Sequence, residues 1–148
     1  MLTELTIKDF ISKVISNDPV PGGGSVSALN GALAAALSAM VANLTVGRKK
    51  YAEVNDLMQE LSTRFEKLSQ KLIEDVDRDS DAYNRVFAAF KLPKETDEEK
   101  QFRSEAIQQE TKYAAQVPME VARAVYEVLP QIAAIAQKGN SNAVTDAC

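Results

Sequence analysis

The chain has no histidine and no tryptophan among its 148 residues, and its one cysteine is the last residue. Without histidine there is no Ser-His-Asp or Cys-His nucleophile system and no imidazole metal site. A single cysteine gives neither an internal disulfide framework nor a thiolate metal cluster, so a reducing, cytoplasmic setting is expected. Acid–base work falls to carboxylates, lysine, tyrosine or water. Basic charge is scarce as well: 17 Lys and Arg against 21 Asp and Glu leave a net charge of −4. That balance argues against a nucleic-acid partner, and any anionic ligand has to find a local basic patch. No basic-apolar-small leader opens the chain, so secretion is not expected.

Strand patterning is absent throughout, and the expected class is all-α. A single domain over 1–148 is expected from the length, as one bundle of about five to six helices around a central buried helix. That central helix is read from a further absence: no charged residue occurs from Ser25 to Val46. The stretch is long enough to span a bilayer. Asn30, Asn43, several serines and many alanines make it only mildly apolar on an insertion scale, so no membrane span is expected. A helix apolar all round belongs in a soluble core.

What precedes this stretch is the most informative run in the chain, Pro21-Gly22-Gly23-Gly24-Ser25. Glycines let the backbone approach another group closely, and Ser25 is placed to cap the following helix. A glycine loop entering a helix N-terminus suits an anion; the plainer reading is a tight turn. Arg48, Lys49 and Lys50 follow the far end of the helix, either as ordinary surface charges or as a clamp for a carboxylate or phosphate.

Elsewhere, Thr6 is placed to cap a first helix with Ile7, Phe10, Ile11, Val14 and Ile15 on one face. A long helix is predicted over about 51–90. Its stripe of Tyr51, Val54, Met58, Leu61, Phe65, Leu68 and Leu72 alternates spacings of three and four. Continued past Leu72, the stripe meets Asp75 and Asp79 before resuming at Ala82, Val86 and Ala89. Two carboxylates thus fall on a packed face, which is costly unless they are paired or solvated. A neighbouring stripe through Ile73, Val76, Ser80, Tyr83, Phe87 and Phe90 is expected to take over the packing. Glu74, Asp77 and Asp81 complete the acidic cluster. Thr96 and Glu99 form a capping box, and Pro118 is expected to kink or restart the last long helix.

Three segments together resemble the cyclodeaminase/cyclohydrolase family of folate enzymes. They are Pro21–Leu29 with Met40–Tyr51, Asp79-Ser80-Asp81-Ala82-Tyr83 with Lys91-Leu92-Pro93-Lys94, and Lys138-Gly139-Asn140-Ser141-Asn142-Ala143-Val144-Thr145-Asp146-Ala147. The third is usually written with Ser where Thr145 stands, and the chain is short of the further C-terminal helices usual in the family. The resemblance implies an all-α homodimer binding a tetrahydrofolate derivative near the subunit interface, with no cofactor beyond the folate substrate and no metal. The reaction is ring closure of 5-formiminotetrahydrofolate with ammonia release, or hydrolysis of methenyltetrahydrofolate. On this reading Asp79 is the lead acid and base, with Asp81 assisting and Asp146 a second candidate. Gly22, Gly23, Gly24, Ser25, Lys49 and Lys50 hold the anionic tail or amide of the folate, and Asn140 and Asn142 contact it. The alternative is a non-catalytic relative that serves as a helical dimer scaffold or folate-binding module.

Overall fold

A computed structural model describes residues 1–147; Cys148 lies outside the described residues. Five α-helices follow one another, with no strand among the described residues: α1 (Ile7–Ile15), α2 (Gly23–Asn43), α3 (Asn55–Phe90), α4 (Asp97–Lys138) and the short α5 (Val144–Ala147). Tight 3-10 turns at Leu2–Glu4 and Lys49–Val54 precede α1 and α3. The chain divides into two compact units, residues 1–28 with 74–121, and residues 29–73 with 122–148.

Local signals set the helix ends. Thr6 Oγ1 accepts the Asp9 amide at 3.1 Å and caps α1. At α4 the capping box closes both ways: the Glu99 amide donates to Thr96 Oγ1 at 3.2 Å, and the Thr96 amide to Glu99 Oε2 at 3.1 Å. Ser25 is not the cap expected of it, because α2 starts two residues earlier, at Gly23. Helix α4 continues through Pro118 and Pro130, so the chain does not restart at Pro118. At Pro130 the residue whose carbonyl loses its helical donor is Tyr126, itself 74% exposed.

In the second unit the stripe on α3 is used internally. Met58, Leu61 and Phe65 are buried, packed with Val41 and Ala42 of α2 and Val128 and Ile135 of α4, and Leu72 is buried as well. Gly31 lets α2 come close here: a Cβ would stand 3.2 Å from both Leu72 and Val125. Burial of α2 is one-sided. Ala28, Ala32, Ala35, Ala39 and Ala42 are buried, whereas Leu33, Leu37, Met40 and Leu44 are exposed. By length and mean hydropathy, 1.6, α2 also has the dimensions of a membrane span. Ser38 within it and Thr45 just past its end nevertheless bury their hydroxyls against α2 carbonyls, 2.9 Å from Ala34 O and 2.8 Å from Val41 O.

In the first unit packing is shared between the two α3 stripes. Asp75, Ala82 and Ala89 of the original stripe and Val76 and Ser80 of its neighbour are buried, while Tyr83, Phe87 and Phe90 are exposed. Lys91 lies over the Phe87 ring at 4.8 Å and Arg103 over Phe90 at 5.7 Å, so cations cover part of these aromatic faces. Of the apolar face expected to pack α1, only Phe10 is buried; Ile7, Ile11, Val14 and Ile15 are exposed.

Candidate active site

The acids of α3 have separate environments. Asp75, 2% exposed, is paired with Arg78 at 2.8 Å. Arg78 in turn bonds Glu120, and this contact raises the arginine's pKa, with Tyr113 and Asp75 adding to it against the cost of burial. Asp75 is therefore a structural ion-pair member, in line with the rule that buried charges are paired. Asp77 accepts from the Leu2 amide and from Thr3 Oγ1, tying the N-terminal turn to α3. Asp81 is exposed.

Asp79 is half-buried and sits against the start of α2. Its Oδ2 accepts from Ser25 Oγ at 2.9 Å. A Cβ on Gly24 would lie 2.0 Å from Asp79 Oδ1 and 2.5 Å from its Cγ, so the carboxylate occupies the space of a side chain at residue 24. Gly23 has open space at the same point. The glycine run thus serves one close approach, at Gly24, and the group brought to the positive end of α2 is the protein's own carboxylate. Beside this site a cleft of about 360 Å³ is bordered by Leu2, Lys13, Val20, Ser80, Asp81 and Asn84.

The second unit gathers the other sequence candidates. Lys50 Nζ donates to Ser141 Oγ at 3.4 Å and lies 5.1 Å from the centre of the Tyr51 ring. The Tyr51 hydroxyl is bonded to Ser141 twice, at 3.1 Å to its Oγ and 3.0 Å to its amide. Those two bonds, hydroxyl first, bring the Tyr51 pKa from 10.0 down to about 8; partial desolvation opposes them and Lys50 adds a smaller pull. In the sequence Tyr51 stands in the packing stripe and closes the Met40–Tyr51 segment, with no role of its own assigned to it. Its partner lies 90 residues away, so no local pattern pointed to it.

Asn140 is buried and its groups are used within the fold. Its Nδ2 donates to Leu44 O at 3.1 Å, its amide to Thr45 Oγ1 at 2.8 Å, and its Oδ1 accepts from the Asn142 amide at 3.1 Å. It fastens the loop before α5 to the end of α2. Lys49, Asn142 and Asp146 are exposed. The structure thus brings Gly24, Ser25 and Asp79 together in one unit, and Lys50, Tyr51 and Ser141 together in the other.

A family model described as formiminotransferase-cyclodeaminase matches residues 6–148. A methenyltetrahydrofolate cyclohydrolase from Methylorubrum extorquens is 41% identical over 142 residues, covering 96% of this chain and 68% of that protein. The formimidoyltransferase-cyclodeaminase of Rattus norvegicus is 35% identical over 145 residues, 98% of this chain but 27% of that longer protein. Among solved structures, a formiminotetrahydrofolate cyclodeaminase from Thermotoga maritima superposes with a TM-score of 0.84 at 32% identity, covering 99% of this chain and 69% of that one. With a family model matched over nearly its whole length and the same helical fold in a solved relative, the chain belongs to the formiminotransferase-cyclodeaminase family.

Proposed function

We propose that this protein is a folate one-carbon enzyme acting on N5/N10-substituted tetrahydrofolate, with hydrolysis of the methenyl derivative as its first candidate reaction. The 41% identity to a cyclohydrolase over 96% of the chain ranks that reaction ahead of the cyclodeaminase one. The observation that carries the reading is the Asp79 carboxylate, tied by Ser25 and seated against Gly24 at the start of α2.

Both reactions pass through a tetrahedral carbon between two nitrogens, and both need one group to take and return a proton. In the hydrolysis, water bonds to the methenyl carbon and gives a proton to Asp79. The carbon–nitrogen bond then breaks, the freed nitrogen receives a proton, and the hydroxyl loses its own as the formyl group forms. In the deamination, N10 attacks the formimino carbon and loses its proton, and ammonia leaves with a proton returned. Asp79 does this work; Asp81, exposed one residue beyond Ser80, is the assisting carboxylate. Within the second unit, the Lys50, Tyr51 and Ser141 cluster, with Lys49 and Asn142, offers cationic and hydrogen-bonding groups that suit an anion.

The functional form is a twofold-symmetric homodimer. Its support is the exposed row Leu33, Leu37 and Met40 on α2, continued by Leu44 just past its end, whose 4-3-4 spacing is that of a helix seam.

The test is turnover of methenyltetrahydrofolate and of 5-formiminotetrahydrofolate by the purified chain and by Asp79→Asn. The variant should keep its fold and folate affinity and lose about 10²–10⁴-fold in rate, the usual worth of a positioned acid or base. Full turnover by Asp79→Asn moves the role to Asp81 or Asp146. Folate binding with no turnover by the unaltered chain supports the non-catalytic alternative.

A further inference from the structure

Ser25 is completely buried, and its hydroxyl faces three oxygens. Val76 O and Asp79 Oδ2 each lie 2.9 Å away, and Ser80 Oγ 3.3 Å. A serine has one proton to donate, so it serves either Val76 O or Asp79 Oδ2. Charge decides: a bond to an ionised carboxylate is about twice as strong as one to a neutral carbonyl. Val76 O, inside α3, also has the ordinary helical donor four residues on, and the Ser80 hydroxyl is free to donate to Ser25 Oγ.

The other oxygen of the carboxylate is differently placed. Asp79 Oδ1 has no hydrogen-bond partner among the described residues, and no buried side-chain oxygen or nitrogen there lacks one. Oδ1 therefore reaches solvent.

We propose that Ser25 is a positioning residue for Asp79: its buried hydroxyl anchors Oδ2 and leaves Oδ1 as the oxygen that exchanges a proton with the folate. The inference rests on the reading of Asp79 as the acid and base. The proton arrives at Oδ1 from water or N10 and leaves from Oδ1 to the departing nitrogen, and Ser25 keeps its own proton throughout. Oδ2 stays an acceptor whether or not Oδ1 is protonated, so the anchor holds through the cycle. This moves Ser25 from ligand contact, which a completely buried hydroxyl cannot make, to control of the carboxylate.

The experiment compares Ser25→Ala and Ser25→Cys with Ser38→Ala. Ser38 is a matched control in the same helix, 1% exposed, with its hydroxyl 2.9 Å from Ala34 O. We would measure kcat and KM for both folates, together with Tm. Ser25→Ala should lower kcat about tenfold or more with little change in KM, the worth of a hydrogen bond to a charged group. Ser25→Cys, a weak donor of similar size, should recover part of the loss, and Ser38→Ala should keep its kcat. Unchanged kcat in Ser25→Ala overturns the proposal, as does a loss that merely tracks Tm as in Ser38→Ala. If Ser25→Ala does not fold, Ser25→Cys decides: its kcat must fall while its Tm stays near that of Ser38→Ala. Full turnover by Asp79→Asn, or none by the unaltered chain, sinks the Asp79 reading and this inference with it. An inactive Asp79→Asn beside a fully active Ser25→Ala sinks the Ser25 role alone.

Discussion

At Gly24 a methyl group can be admitted only by moving the Asp79 carboxylate. The added Cβ would meet Asp79 Oδ1 at 2.0 Å, well inside any tolerated contact, whereas Gly23 faces open space. Gly24→Ala should push the carboxylate off its Ser25 anchor and cost at least about 10²-fold in turnover, the lower end of what a positioned base is worth. Gly23→Ala should lose far less. Steady-state kinetics on the two variants checks this; equal losses would mean that the run acts as a flexible loop instead of a seat for Asp79.

Tyr51 gives a second residue-scale prediction. Its folded pKa, about 8, lies below its ordinary value of 10.0. The phenolate is therefore favoured in the folded state, and the associated stability appears as pH rises through about 8, is complete above about 10, and is lost on returning below 8. The ultraviolet difference spectrum should show one of the four tyrosines ionising near 8, and Tyr51→Phe should remove that step. Ser141→Ala should move the step upward.

The legibility of these residues follows sequence distance. Asp79 was readable because its three-four spacing placed it on a packed stripe of one helix. Ser25 was picked out but given the wrong task, since nothing in Gly-Gly-Gly-Ser tells whether the helix starts at the serine or at the second glycine. The Tyr51–Ser141 pair depends on chain closure over 90 residues, and no local pattern carries that.

At the scale of elements, α2 shows why composition alone stops short. An uncharged sequence marks a helix that belongs beside apolar neighbours, but with no polar face it cannot say which side is covered. The structure covers the alanine side, so Ala35, 3% exposed, is where size matters. Ala35→Leu should overpack the core of the second unit and cost about 1–3 kcal/mol in denaturant unfolding. α1 fails in the opposite way: its amphipathic pattern is strong, yet Ile7, Ile11 and Ile15 remain exposed, because a pattern states that a face is apolar and not that the chain itself covers it. Caps are more legible, since cap and partner are three residues apart. Thr96→Ala should lose the bond to the Glu99 amide and lower stability by about 1 kcal/mol.

For the whole molecule the question is what covers the apolar surface. The stripe on α3 is covered by the chain itself: Met58, Leu61 and Phe65 lie in the second unit's own core, and Leu72 is buried. The uncovered row is on α2 instead, where Leu33, Leu37, Met40 and Leu44 are 56%, 44%, 38% and 38% exposed. An exposed apolar row is the kind of surface that partners cover, and its seam-like spacing would suit a second copy of the same helix, as proposed above. Light scattering and sedimentation at micromolar concentration should therefore give a dimer. Leu37→Glu is the discriminating variant. In a lone chain a half-exposed leucine replaced by glutamate changes little. In a twofold interface two glutamates face one another in a desolvated seam, where like charges cost several kcal/mol. Leu37→Glu should shift the population to monomer while leaving helix content unchanged by circular dichroism. A dimer that survives Leu37→Glu moves the interface to another face, such as the exposed side of α1. A monomer before any substitution removes the homodimer altogether.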